Sequence, residues 1–145
     1  MLLKLGPIML QIQVNYEGQL RCRATHGPSG NELVTDAPVD NHGKGESFSP
    51  TDLVATGLGT CMTTVMGIYA QQHDIDLTGM QATVGKVMTA EPPRRIARLE
   101  VKISMPLPES HPKAEALQRA AHTCPVHQSL LKEVEIPVEF TWAEE

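Results

Sequence analysis

The residues of this chain with the best claim to chemistry are its three cysteines, Cys22, Cys61 and Cys124. The thiolate is the reactive form of cysteine, and local charge sets its population. Cys124 stands in "HTCPVH" (His122–His127), directly before Pro125. Proline suits the first position of a helix, which makes Cys124 an N-cap. There the free N–H groups and partial positive charge of a helix start favour an anion. His122 and His127 are near enough in sequence to add charge or accept a proton. A plainer reading stands beside this one, in which Cys-Pro only breaks the chain between two helices. Cys61 lies in "LGTCMTTVM", in the middle of an uncharged stretch. Mid-helix, its N–H is already bonded and the macrodipole does little. Its neighbours one turn away are Gly57, Leu58, Thr64 and Val65, so local physics favours a small buried hydrophobe. Cys22 alternates with Leu20 and Ala24 and reads as strand core.

A metal is the other chemistry that "HTCPVH" suggests. Cys124 and His127 have an i, i+3 spacing, and His122 with Cys61 would complete a tetrahedral set. No paired CxxC supports it, and the six histidines are otherwise scattered, so no metal is expected. Nucleotide loops are absent, with neither GxGxxG nor GxxxxGK[ST] in the chain. Ser29, in "GPSGN", reads as a turn residue and not as a nucleophile. No bound cofactor is expected.

The elements that must carry these residues follow from periodicity. "IMLQIQVNYEGQLRCRATH" alternates, with Ile8, Leu10, Ile12 and Val14 on one face. It predicts two strands around a turn at "EGQ", and "ELVTDAP" adds a third. Ser49-Pro50 then opens a helix predicted to run to about Gln72, with Asp52 completing a capping box. Its interior is apolar on nearly every face and asks for cover on nearly every face. "LTGMQATVGKVMTAEPPRRIARLEVKISMPLP" predicts two strands about "EPPRR". "KAEALQRAAHTC" is a helix starting at Pro112, "PVHQSLLKEV" a further helix, and "EIPVEFTW" a closing strand. The order predicts an α+β domain, single over residues 1–145.

Composition narrows the function. Twelve basic against seventeen acidic residues give a net charge of −5, which disfavours a phosphate-binding surface and so nucleic acid. Two Phe, two Tyr and one Trp are too few for base stacking. Three cysteines are odd in number and sparse, so the reading is free thiols in a reducing, cytoplasmic compartment. The start "MLLKLGPIML" lacks a sustained apolar run and a small-residue cleavage site, which disfavours a signal peptide. From Leu53 to Ala70 there is no charge, but four threonines and three glycines weaken any membrane span.

Taken together, "FSPTDLVATGLGTCMTTVMGIYA" and "HTCPVHQSL" resemble the two motifs of the OsmC/Ohr family (osmotically inducible protein C and organic hydroperoxide resistance). The loop "TDAPVDNHGKGESFSPTDL" resembles the approach to the family's central helix. The resemblance implies an intertwined homodimer, with strands of both chains in two sheets around the central helices. It implies that Cys61 attacks the peroxide O–O bond and becomes a sulfenic acid, and that Cys124 resolves it as a disulfide. A dithiol, dihydrolipoyl groups in the family, would then reduce the enzyme. In the hydroperoxide branch an Arg from the N-terminal strands and a Glu at the helix start activate the thiol. Here the Glu position holds Thr51, and the turn that carries the Arg holds Pro28. Arg21, Arg23, Glu46 and Asp52 are the remaining candidates for that support, which places the chain nearer the general OsmC-like branch. A non-enzymatic protein binding a small hydrophobic ligand is the alternative.

Overall fold

The computed structural model describes residues 9–145, so Ile8 and most of the N-terminal "MLLKLGPIML" lie outside the described residues. The chain gathers into two compact units, Met1–Thr51 and Asp52–Glu145.

The first unit is the predicted meander. β1 (Ile12–Gly18), β2 (Arg21–His26) and β3 (Glu32–Asp36) form an antiparallel sheet in sequence order. The register sets Val14 against Ala24 and Tyr16 against Cys22, then Cys22 against Thr35 and Ala24 against Leu33. Alternation therefore gathers Ile12, Val14, Tyr16, Cys22, Ala24 and Leu33 on one face. Among the described residues of the unit nothing covers it: Val14 is 58% and Tyr16 66% exposed. Cys22 is half-exposed, not core. Leu20 does not join the alternation, because it sits with Gln19 at positive φ in the turn. The other face is ionic, with Arg21 and Arg23 on it. A single 3₁₀ turn, Val39–Asn41, lies in the loop that follows β3.

α1 (Pro50–Gln72) has the predicted bounds and carries the chain into the second unit. It is long and apolar enough to cross a bilayer by length and composition. Its stripe Ala55, Leu58, Met62, Met66 and Ala70 is instead packed into the core with Leu99, Val101 and Ile103. Within the single chain the cover is on one side of the helix. Thr56, Thr60, Thr64 and Ile68 form an exposed stripe. Two of these threonines turn their hydroxyls inward to donate to the preceding turn, Thr56 to the Asp52 carbonyl at 2.9 Å and Thr60 to the Thr56 carbonyl at 2.8 Å. Their outward surface is then largely methyl, which is why the segment reads as apolar all round.

β4 (Gln81–Met88), β5 (Ile96–Ser104) and β6 (Val138–Thr141) make the second sheet, antiparallel between β4 and β5 and parallel between β5 and β6. The inward face of β4 meets α1, and Gly59 makes this approach possible, since a Cβ there would lie 2.9 Å from Val84 Cγ2. α2 (Ala114–His122) starts two residues after the predicted Pro112 and buries Ala114, Leu117 and Ala121. α3 (Pro125–Ser129) is five residues, half the predicted helix. Leu130 is already extended, and by Glu135 the chain bonds to Ala97 and Leu99 beside β5. The segment cannot both continue a helix and reach the sheet.

Candidate functional site: a thiol pair at the start of a helix

Cys61 projects from the middle of α1, and Cys124 follows the end of α2. The fold brings them together, with the two thiols within hydrogen-bonding reach. Cys124 is fully buried and Cys61 partly exposed. Cys124 is the N-cap of α3, as its sequence position predicts, and its Sγ accepts the His127 N–H at 3.4 Å.

The electrostatic outcome is the reverse of the local expectation. The Cys124 thiol is pushed up from its ordinary pKa, first by burial, then by its hydrogen bond to Cys61. The N–H groups of His127 and Val126 act in the opposite sense and are outweighed. The two N–H groups at the start of a one-turn helix provide little dipole, whereas full desolvation acts on the whole charge of a thiolate. Burial and the neighbouring Cys61 thus favour the thiol form of Cys124 over the thiolate. His122 and His127 meet edge-on, ring centroids 6.1 Å apart. Among the described residues no three His, Cys, Asp or Glu side chains are placed to hold a metal ion, so the tetrad suggested by "HTCPVH" does not assemble.

A groove of about 440 Å³ lies between α1 and α2, lined by Val65, Ile68 and Tyr69 on one side and Ala116, Ala120 and Thr123 on the other. Val65 is one turn beyond Cys61, and Thr123 directly precedes Cys124. Neither thiol is among its lining residues, and its walls are largely apolar. Gln72 and Arg119 add its polar groups.

The supporting candidates divide into separate clusters. Arg21 is hydrogen-bonded to Glu46, and its Nη2 lies 3.7 Å from Asp36 Oδ2. The hydrogen bond to Glu46, then its charge, hold the guanidinium further into its protonated range. Arg23 is not part of this cluster and pairs with Glu17 at 3.2 Å and Glu32 at 3.1 Å. Asp52 makes an ion pair with a lysine. Its carboxylate lies 2.8 Å from Lys86 Nζ, on the inward face of β4. Thr51 Oγ1 is 3.3 Å from Ser49 Oγ, and Pro28 stays in the exposed β2–β3 turn. Sequence reasoning missed Asp36 and Lys86. Asp36 is 1% exposed and accepts the Glu46 N–H at 3.0 Å, so it fixes both partners of Arg21. The signal for it was the cross-strand register, which sets Asp36 opposite Arg21.

The model of the OsmC-like protein family matches residues 43–139, two-thirds of the chain and both thiols. The chain belongs to the OsmC-like family. It is 41% identical to a candidate osmotic stress induced and detoxification response protein from Psychrobacter arcticus, covering 97% of this chain and 100% of that one, TM-score 0.85. An organic hydroperoxide resistance protein OsmC from Legionella pneumophila shares the fold at 18% identity, 94% and 98% coverage and TM-score 0.74. The organic hydroperoxide resistance protein OhrB of Bacillus subtilis does so at 16% identity, 92% and 98% coverage and TM-score 0.66. Comparison with curated proteins finds no match. Membership in the family agrees with the α+β architecture of two three-stranded sheets and a long central helix.

Proposed function

We propose that this protein is a thiol peroxidase that reduces organic hydroperoxides. The observation that carries the reading is the contact between a partly exposed Cys61 and a buried Cys124. The Cys61 thiolate attacks the distal peroxide oxygen, the O–O bond breaks, and an alcohol leaves after taking a proton. Cys61 is then a sulfenic acid. Cys124 sulfur attacks it, its proton goes to the departing hydroxyl, and water and a Cys61–Cys124 disulfide result. A dithiol such as a dihydrolipoyl group restores both thiols. The names of the Legionella and Bacillus relatives support this substrate class.

Among the arginine–carboxylate pairs of the described residues, we assign Arg21 with Glu46 the supporting part that Pro28 and Thr51 cannot take. A homodimer is part of the reading, supported by the uncovered apolar face of the first sheet and the methyl-rich stripe of α1. A cytoplasmic location follows from the use of unpaired thiols.

The test is direct. Intact protein mixed with one equivalent of cumene hydroperoxide is expected to lose two hydrogens in mass and yield a Cys61–Cys124 disulfide peptide. Cys61→Ser is expected to abolish turnover, and Cys124→Ser to trap a sulfenic acid. A chain that never forms the disulfide is not a peroxidase of this kind. The groove between α1 and α2 keeps a second reading in view, a binding protein for a small hydrophobic ligand. Steady-state turnover with dihydrolipoamide supports the enzyme, and oxidation that stops at one equivalent supports the binder.

A further inference from the structure

We propose that α3 is a flap operated by the redox state of the thiol pair. The reduced Cys124 sulfur caps it, the Cys61–Cys124 disulfide releases it, and its release opens the buried sulfur to the incoming dithiol. This inference rests on the peroxidase reading above and adds how the oxidised site is reached.

The geometry asks two things of one atom. Cys124 Sγ accepts the N–H of His127 at 3.4 Å and also touches the Cys61 thiol. A disulfide draws the two sulfurs to about 2.05 Å. The two sulfurs must therefore close on each other, and as a disulfide sulfur Cys124 is a weaker acceptor of the His127 N–H than a thiol or thiolate. The helix it caps has little else to hold it. α3 has five residues and buries none of them. Its own ties are the Gln128 N–H to the Cys124 carbonyl at 3.1 Å, the Ser129 hydroxyl to the Pro125 carbonyl, and the Gln128 side chain to the His122 carbonyl. Val126 and the following Leu130 touch the core but are only partly buried, and Leu131 is 65% exposed.

The flap answers a problem of access. A dithiol can attack either sulfur of the disulfide. Either route expels Cys124 once, and while its sulfur is buried it is a poor leaving group. Attack on Cys124 expels Cys61 but meets a sulfur with 0% exposure. Once α3 loosens, this route is open. One thiolate of the dithiol bonds to Cys124 Sγ, the Cys61–Cys124 bond breaks, and its electron pair stays on Cys61 as thiolate. The second thiol of the dithiol then displaces Cys124, closing the reductant's own disulfide. The restored Cys124 thiol recaps α3.

Hydrogen exchange followed by mass spectrometry tests this on the intact protein, reduced and after one equivalent of t-butyl hydroperoxide. The segment 125–131 is expected to exchange about five to tenfold faster once oxidised, the loss of one side-chain cap. The segment 114–122 is expected to keep its rate. Cys61→Ser treated the same way is expected to match reduced protein in both segments. A disulfide confirmed by mass with unchanged exchange at 125–131 overturns the flap and leaves the peroxidase reading intact. Equal acceleration of 114–122 also overturns it, in favour of general loosening. Failure to form any Cys61–Cys124 disulfide overturns the peroxidase reading and the flap with it.

Discussion

At the scale of single residues, the site is decided by desolvation. Cys124 has the sequence signature of an activated thiol, and its burial in the structure favours the thiol form instead. The consequence is a pH dependence. Its folded-state pKa is raised above the unfolded value of about 8.5. A group shifted in that direction contributes stability fully below the unfolded pKa and loses it as pH rises through the folded one. Reduced protein is therefore expected to lose stability to urea from about pH 8.5 upward, and Cys124→Ala to lose less over the same interval. Equal slopes for the two proteins would dismiss the argument. The same burial predicts that iodoacetamide modifies native Cys124 far more slowly than urea-unfolded Cys124, read by peptide mass. What the sequence lacked here was the neighbour. "HTCPVH" shows the helix start but not the Cys61 sulfur or the depth at which the pair lies, because both depend on α1 and α2 meeting.

At the scale of elements, α1 was legible to the residue because Ser49-Pro50 marks its start and no breaker intervenes before Gln72. α3 was misjudged because "PVHQSLLKEV" carries no local stop. The stop comes from the demand that Glu135 join the sheet beside β5. The arginine face of β2 was undecidable from alternation alone, since the pattern gives two faces without saying which is ionic. Asp36 and Glu17 decide it once the register is known. The packing of α1 on β4 yields a prediction at this scale. Gly59→Ala improves helix propensity by about 1 kcal/mol. It also sets a methyl 2.9 Å from Val84 Cγ2, and overpacking of that kind costs about 1–3 kcal/mol. The net expectation is a loss of about 1 kcal/mol in urea denaturation, recovered in part on adding Val84→Ala. Additive losses in the double variant would show that the two positions do not meet.

At the scale of the whole molecule, the first sheet poses a problem, because its own described residues leave its apolar face exposed. A three-stranded sheet gains its stability from covering its apolar face. Here Ile12 is 59% exposed and Leu33 44%, on the same face as Val14 and Tyr16. The threonine stripe of α1 is likewise ready for cover, its hydroxyls at Thr56 and Thr60 already bonded to the helix. Contiguous apolar faces of this kind mark association surfaces. A second copy of the chain is the occupant that the family resemblance implies. Light scattering on purified protein is expected to give roughly twice the chain mass of 15.8 kDa. Val14→Glu places a charge in the centre of the exposed face and is expected to shift the mass toward one chain at low micromolar concentration. Gln13→Glu, on the opposite face of β1, is expected to leave it unchanged. Both variants should keep the circular dichroism of the parent. If Val14→Glu holds the parent mass while Gln13→Glu lowers it, the ionic face and not the apolar one is the interface. If the parent itself runs as one chain, the apolar face has another occupant, and the homodimer reading falls.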